Sequence, residues 1–266
     1  MAVSVLLFDV PMTDLLSLSL SDDGINIARI MQIISQLGVF VIPPVSLALL
    51  VTEKPDAFLG FKKPDDKMIL WIGIIVMFSL LPLIHQLSAW NESIQLPSSF
   101  AAIEEWMLEK EKQAEEISLK FLEVSTFGGL MVNILMIGIL PSVGEELVFR
   151  SILQPMFGKW LRNIHLGIIV SAILFSMMHM QFYGFLPRMG LGIVLGYFYF
   201  WSGSIFVPML MHFVNNGSAV LVFYLAHNGF IHTNAEEFGS SSDTIVIVLS
   251  AFLSIGLLYS AYRKKV

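Results

Sequence analysis

Hydrophobic residues in this chain come in long unbroken stretches rather than in strict alternation. Six stretches carry no Asp, Glu, Lys or Arg: residues 30–52, 68–90, 124–144, 163–187, 189–235 and 244–262. A bilayer-spanning helix needs about 20 predominantly apolar residues. The fifth stretch is long enough for two spans that turn near Trp201-Ser202-Gly203-Ser204. The pattern predicts an all-α polytopic membrane protein with about seven transmembrane helices, eight at the upper end of the count. Pro43-Pro44 should kink or divide the first of them.

Two segments differ in kind. Residues 1–28 mix apolar positions with Asp9, Asp14, Asp22 and Asp23, as a short interfacial helix or a loose segment would. From Ser98 onward, Ile103, Trp106, Met107, Ala114, Ile117 and Phe121 recur at three- and four-residue steps. Glu104, Glu105, Glu109, Lys110, Glu111, Lys112, Glu115 and Glu116 occupy the other face. This is an amphipathic helix that lies on the membrane surface or against the spans, or simply a solvated connection. The chain therefore divides into an N-terminal segment, 1–28, and one membrane domain, 29–266. There is no internal repeat or second domain.

Composition narrows the class. Of the 266 residues 56% are hydrophobic and 14% charged, against roughly 25% charged in a soluble domain. The absence of cysteine removes thiol catalysis, disulfides and thiolate metal sites together. A net charge of −6 without a basic patch excludes nucleic acid as a partner. No basic leader with a small-residue cleavage site opens the chain. Basic residues gather at 54–67, at Lys159 and Arg162, and at the C-terminus, which suits a cytoplasmic placement of all three. The segment 91–123, with Lys110, Lys112 and Lys120, is the exception to that topology.

Ionisable groups inside a membrane are costly and mark a partner or a task. Three polar pairs at helical spacing stand out. Glu145-Glu146 is followed by Arg150, Phe175 by His179, and His212 by Asn216. Glu146 and Arg150, four apart, share a helix face and can pair. Glu145 lies about 100° round the helix and is free to face a cavity. Two carboxylates with one cation leave a surplus negative charge, which favours a proton-accepting role over a purely structural ion pair. A glutamate and a histidine can polarise water. A histidine and an amide can donate to the oxyanion that forms on a peptide carbonyl.

The same atoms have other uses. Two histidines and a glutamate can hold zinc, yet no HExxH helix is present and the candidates come from three helices. No Gly-x-Ser-x-Gly elbow occurs. The aspartates lie only in the first quarter of the chain and at 243, so an intramembrane aspartate pair is missing. His85, His165, His227 and His232 fall at span ends or in loops and read as interfacial. Arg188, behind Pro187, reads as a snorkelling or capping residue. Asn91-Glu92-Ser93 and Asn216-Gly217-Ser218 match the glycosylation pattern without a convincing setting.

The ordered set Glu145-Glu146-x-x-x-Arg150, Phe175-x-x-x-His179, His212-x-x-x-Asn216 resembles the three motifs of the CPBP intramembrane protease family. That family includes type II CAAX prenyl endopeptidases and Abi-like proteins of bacteriocin processing or immunity. The resemblance covers roughly residues 126–225. It implies a cavity between helices in which Glu145 activates water with help from His179. His212 and Asn216 would form the oxyanion hole, and Glu146 and Arg150 would hold the arrangement. No cofactor is obligatory on this reading. Zinc, if used, would fall to Glu145, His179 and His212. The expected activity is an intramembrane endopeptidase acting on membrane-associated peptides or lipidated proteins, in the plasma membrane of a prokaryote. The competing readings are a non-catalytic scaffold or immunity-type protein on the same fold and, more weakly, a transporter with a proton relay.

Overall fold

The computed structural model describes residues 22–264, and among them there are helices and no strand. The N-terminal reading lies outside the described residues as far as position 21. From Asp22 on, that segment is already helical. The first long helix is α1 (Asp22–Gln36), a π-helical segment (Leu37–Val41) and α2 (Ile42–Val51). A short α3 (Pro55–Phe58) follows. Next come α4 (Met68–Ser79), α5 (Leu81–Glu92) and the amphipathic α6 (Ala101–Leu122). The longest helix joins α7 (Phe127–Asn133), α8 (Leu140–Glu146) and α9 (Gln154–Trp160) through π segments Ile134–Ile139 and Leu147–Leu153. The remainder is α10 (Ile164–Met178), α11 (Phe185–Ser202), α12 (Phe206–His227) and α13 (Thr244–Tyr262).

Each π segment runs into a proline at the start of the next α segment: Pro43-Pro44, Pro141 and Pro155. Inside a helix a proline lacks the N–H and clashes with the carbonyl four residues back. Widening the preceding turn relieves that clash without breaking the rod. The expected division at Pro43-Pro44 thus takes the form of a π turn within a continuous helix. Start signals are explicit elsewhere. Thr126 accepts the Gly129 amide at α7, Asn163 accepts those of His165 and Leu166 at α10, and Asp243 accepts that of Ile245 at α13. Gly203, at φ +57°, ends α11 in the left-handed conformation that favours glycine.

The membrane character shows in what is turned outward. Trp71, Leu50, Trp160, Leu249, Phe252 and Ile255 are exposed, whereas Glu146, Arg150, Gln154, Ser204 and Ser254 are buried. Among the described residues four helices are long and apolar enough to cross a membrane: Gly24–Val51, Phe127–Trp160, Phe206–His227 and Thr244–Tyr262. The pair α4 and α5, bent by 46° between them, makes a fifth if counted as one span. The expected count of seven is therefore not confirmed. Residues 163–187 give a helix of only 15 residues, α10, because the chain turns at Met180 with φ +53°. The turn expected at Trp201–Ser204 is present, but α11, which carries Arg188, is not among the helices long and apolar enough to cross.

The core lies between α4, α11, α12 and α13, where Ile69, Ile72, Val76, Leu195, Phe198 and Met211 pack together. Ser79 Oγ and Ser254 Oγ, 2.9 Å apart, join α4 to α13. The loop after α2 seals one end of the molecule. Ser204 Oγ donates to the Lys62 carbonyl, the Ile205 amide donates to Gly60, and Lys264 pairs with Asp66. His165, just past the Lys159–Arg162 turn, meets Tyr197 of α11 at 2.9 Å. All three basic segments thus gather at the C-terminal end of α11.

Candidate active site

The site is built on the middle of the longest helix. Arg150 Nη1 donates to Glu146 Oε1 at 2.9 Å, and the same oxygen lies 2.8 Å from His212 Nδ1. All three side chains are buried. Arg150 also donates through Nη2 to the Gly192 carbonyl (3.2 Å), and one turn on Gln154 donates to the Gly196 carbonyl (3.1 Å). Gly192 and Gly196 form a small-x-x-x-small face that lets the two helices approach this closely. The Arg150 guanidinium lies 4.8 Å above the Phe175 ring. That ring also meets Phe149, His179 and His212 at centroid distances of 5.3, 5.2 and 5.9 Å. Phe175 is the packing hub on which both histidines are oriented.

Hydrogen bonding fixes how the rings present their nitrogens. A proton on His212 Nδ1 faces the Glu146 carboxylate, which leaves Nε2 to accept from Asn216 Nδ2 at 3.2 Å. Asn216 Nδ2 also donates to the Ile137 carbonyl (3.1 Å), in the π segment ahead of α8, and its Oδ1 accepts from Asn215 (3.0 Å). His179 directs Nδ1 at the Phe175 carbonyl (2.9 Å), so its Nε2 is the nitrogen left for a ligand. The left-handed turn at Met180 stops α10 directly behind it.

Glu145 stands apart from this network. It is buried, its Oε2 has no hydrogen-bond partner in the protein, and His212 Nε2 lies 3.9 Å from that oxygen. A cavity of about 540 Å³ opens over it, lined by Glu145, His179, His212 and Asn216 together with Phe40, Ile117, Met136 and Phe175. Its far wall comes from α6, with Trp106, Lys110 and Gln113, and from Met180, Gln181 and Arg188. Trp106 packs on Phe182 at 5.4 Å. Asn91 ties down the same loop, donating to Phe182 O and accepting from the Leu186 amide, both at 2.9 Å.

All six residues singled out in the sequence converge here. Glu145, His179, His212 and Asn216 line the cavity, while Glu146 and Arg150 lie behind its wall. As a zinc set, Glu145, His179 and His212 do not fit. Among the described residues no group of three or more His, Asp or Glu is arranged to hold a metal ion. Sequence reasoning missed Asn215, the role of Phe175 and, above all, Arg188. Arg188 does not snorkel outward: it turns into the cavity and bonds to Gln181. Its isolation, one step before a 47-residue stretch without charge, was the available signal.

Fold and site define an all-helical integral membrane protein with an acid–histidine cluster at the floor of a cavity. Residues 127–218, about a third of the chain, match the family described as type II CAAX prenyl endopeptidase Rce1-like. The match takes in all three motifs. A curated relative, the uncharacterized protein YpbD of Bacillus subtilis (strain 168), is 28% identical over 86 residues, which is 31% of this chain and 41% of that protein. The chain thus spans about two-fifths of the length of the curated relative it matches. No solved structure matches.

Proposed function

We propose that the protein is a membrane-embedded endopeptidase in which Glu145 activates water against a peptide bond of a membrane-associated substrate. The observation that carries this is the division of labour between adjacent glutamates. Glu146 is held through Oε1 by Arg150 and His212 and stands behind the cavity wall, whereas Glu145 lines the cavity and its carboxylate takes part in no such hydrogen-bond network. A carboxylate kept free at the floor of a cavity is available to take a proton.

The steps follow from these atoms. Water sits between the Glu145 carboxylate and His179 Nε2. Glu145 takes one of its protons as the oxygen bonds to the carbonyl carbon. The charge that forms on the carbonyl oxygen is met by Asn216, once its amide exchanges the His212 hydrogen bond for the oxyanion, and His212, with its Nδ1 proton on Glu146, holds that amide in place beforehand. Glu145 then returns the proton to the leaving amine nitrogen as the C–N bond breaks. The products are a carboxylic acid and an amine, and Glu145 is regenerated. Glu146 and Arg150 act through His212 as positioning residues. No metal ion enters this scheme.

Substrate class and setting are inferred from the Rce1-like stretch and its bacterial relative. We take the substrate to be a peptide or lipidated protein with a CAAX-like C-terminal region, in the plasma membrane of a prokaryote. The basic segments gather at the C-terminal end of α11, and the cavity wall carrying α6 lies at the other end. Under the positive-inside rule this supports entry from the non-cytoplasmic side.

The test is cleavage of a pooled membrane-peptide library by the detergent-purified protein beside Glu145→Ala and His179→Ala, with and without a chelator. Glu145-dependent, chelator-resistant cleavage is expected, with a loss of about 10²-fold or more in each variant. Chelator-sensitive cleavage restored by zinc refutes the metal-free scheme. Folded protein without cleavage in every arm turns the assignment to a non-catalytic scaffold.

A further inference from the structure

We propose that Arg188 is a specificity residue that binds the free C-terminal carboxylate of the substrate, a role that rests on the protease reading above. Arg188 lines the same cavity as Glu145 and His179 and lies within electrostatic reach of His179. Its guanidinium is fixed: Nη1 donates to the Gln181 carbonyl at 2.9 Å and Nη2 to Gln181 Oε1 at 2.8 Å. The loop is shaped to receive it. A Cβ at Gly184 would lie 2.5 Å from Nη2 and 2.7 Å from Nη1, so any larger residue there would require the guanidinium to shift from its present place. These two bonds use two of the five N–H donors of the guanidinium.

The charge is not neutralised from within. Among the described residues Arg188 has no carboxylate within ion-pair distance. The acid that most influences it, Glu111, directs Oε2 at the Tyr183 amide, 3.3 Å away. Lys110 lines the same cavity and donates to Gln113 Oε1, at 3.0 Å. Two cations therefore overlook a cavity whose one free acid, Glu145, is committed to the chemistry. A guanidinium pre-aligned by its own loop, with its outer donors unused, matches a planar carboxylate in two-point fashion. A peptide whose scissile bond lies at Glu145 and His179 would place its C-terminus, a short distance further on, against Arg188. The subsite thus makes cleavage depend on distance from a free chain end.

The experiment separates this from catalysis by measuring binding on the Glu145→Gln background, where no turnover is needed. The probe is a fluorescent prenylated heptapeptide with a free C-terminal carboxylate, compared with its C-terminal amide by anisotropy in neutral detergent. The acid should bind about ten- to a hundredfold more tightly than the amide, the range of a charge-assisted pair. Adding Arg188→Gln should abolish that preference while leaving amide binding unchanged. Arg188→Lys should restore part of it, and Gly184→Ala should weaken it by displacing the guanidinium. A parallel arm adds phosphatidylglycerol. Arg188-dependent competition by this lipid, without acid preference, assigns the site to a headgroup and overturns the proposal. Equal affinity for acid and amide, no binding of either, or a preference that survives Arg188→Gln overturns it as well. Cleavage lost in Glu145→Ala alongside any of these results leaves the protease reading standing.

Discussion

Two adjacent glutamates should respond in opposite ways to the same chemical change. Glu146→Gln keeps the shape and one acceptor oxygen but removes the counter-charge of Arg150, whose side chain is 2% exposed. At 2.9 Å and an effective dielectric of about 20, the gross attraction is about 6 kcal/mol. Desolvation cancels part of it, so breaking the buried pair should cost about 3–5 kcal/mol. The Phe175 face and the Gly192 carbonyl remain as partial partners and favour the lower figure. For a chain of this size that corresponds to roughly 6–20 °C in Tm. Glu145→Gln removes a buried charge that has no hydrogen-bond partner and sits beside another carboxylate. Its Tm should be unchanged or raised, as befits a residue kept for chemistry rather than for stability. Both variants can be read in detergent by the intrinsic fluorescence of the five tryptophans. Equal destabilisation by the two substitutions would refute the reasoning, because Glu145 would then be part of the structural network.

Other consequences are as direct. Gly196→Leu should lower folded yield by about 1–3 kcal/mol of overpacking, since a Cβ there already lies 2.8 Å from Gln154 Oε1 and 2.9 Å from Ile168. Gly256→Ala, with open space around it, should raise Tm slightly through helix propensity, by at most about 1 kcal/mol. Burial holds Glu111 above its ordinary value of 4.5, against the opposing Tyr183 amide bond. The folded protein therefore binds this proton more readily than the unfolded one, and the contribution is lost as pH rises through the raised value. Glu111→Gln should flatten that acid-side slope of Tm. Because the chain has no cysteine, single cysteines at Glu105 and at Lys63 report sidedness directly. A membrane-impermeant maleimide on intact cells should label the first and not the second, and the reverse result places the cavity mouth in the cytoplasm.

How far the sequence carries depends on what kind of information each feature needs. Glu146 with Arg150 and His212 with Asn216 are four-residue spacings on single helices, so their shared faces follow from helical geometry before any fold is known. The apolar stretches identify the class for the same reason: they depend on length and composition alone. The span count is left unconfirmed where a single residue sets the boundary, as at Met180, whose positive φ ends α10 after 15 residues although the apolar stretch runs on. No residue type announces that turn, because methionine adopts it only under tertiary constraint. The π segments were legible in retrospect at Pro43-Pro44, Pro141 and Pro155, but a proline in a membrane helix predicts a disturbance without saying whether the rod kinks, breaks or widens. Arg188 needed the third dimension altogether. In sequence it is a lone cation at a helix start, where pointing to the interface is the ordinary solution. What turns it inward is the missing side chain at Gly184 and the carbonyl and amide oxygens of Gln181, on a loop tied down by Asn91. Those contacts span up to 95 residues, beyond the reach of any local pattern. The polar cluster was readable because its pairs lie within single helices. The group argued to select the substrate was not, because a loop and two helices hold it jointly.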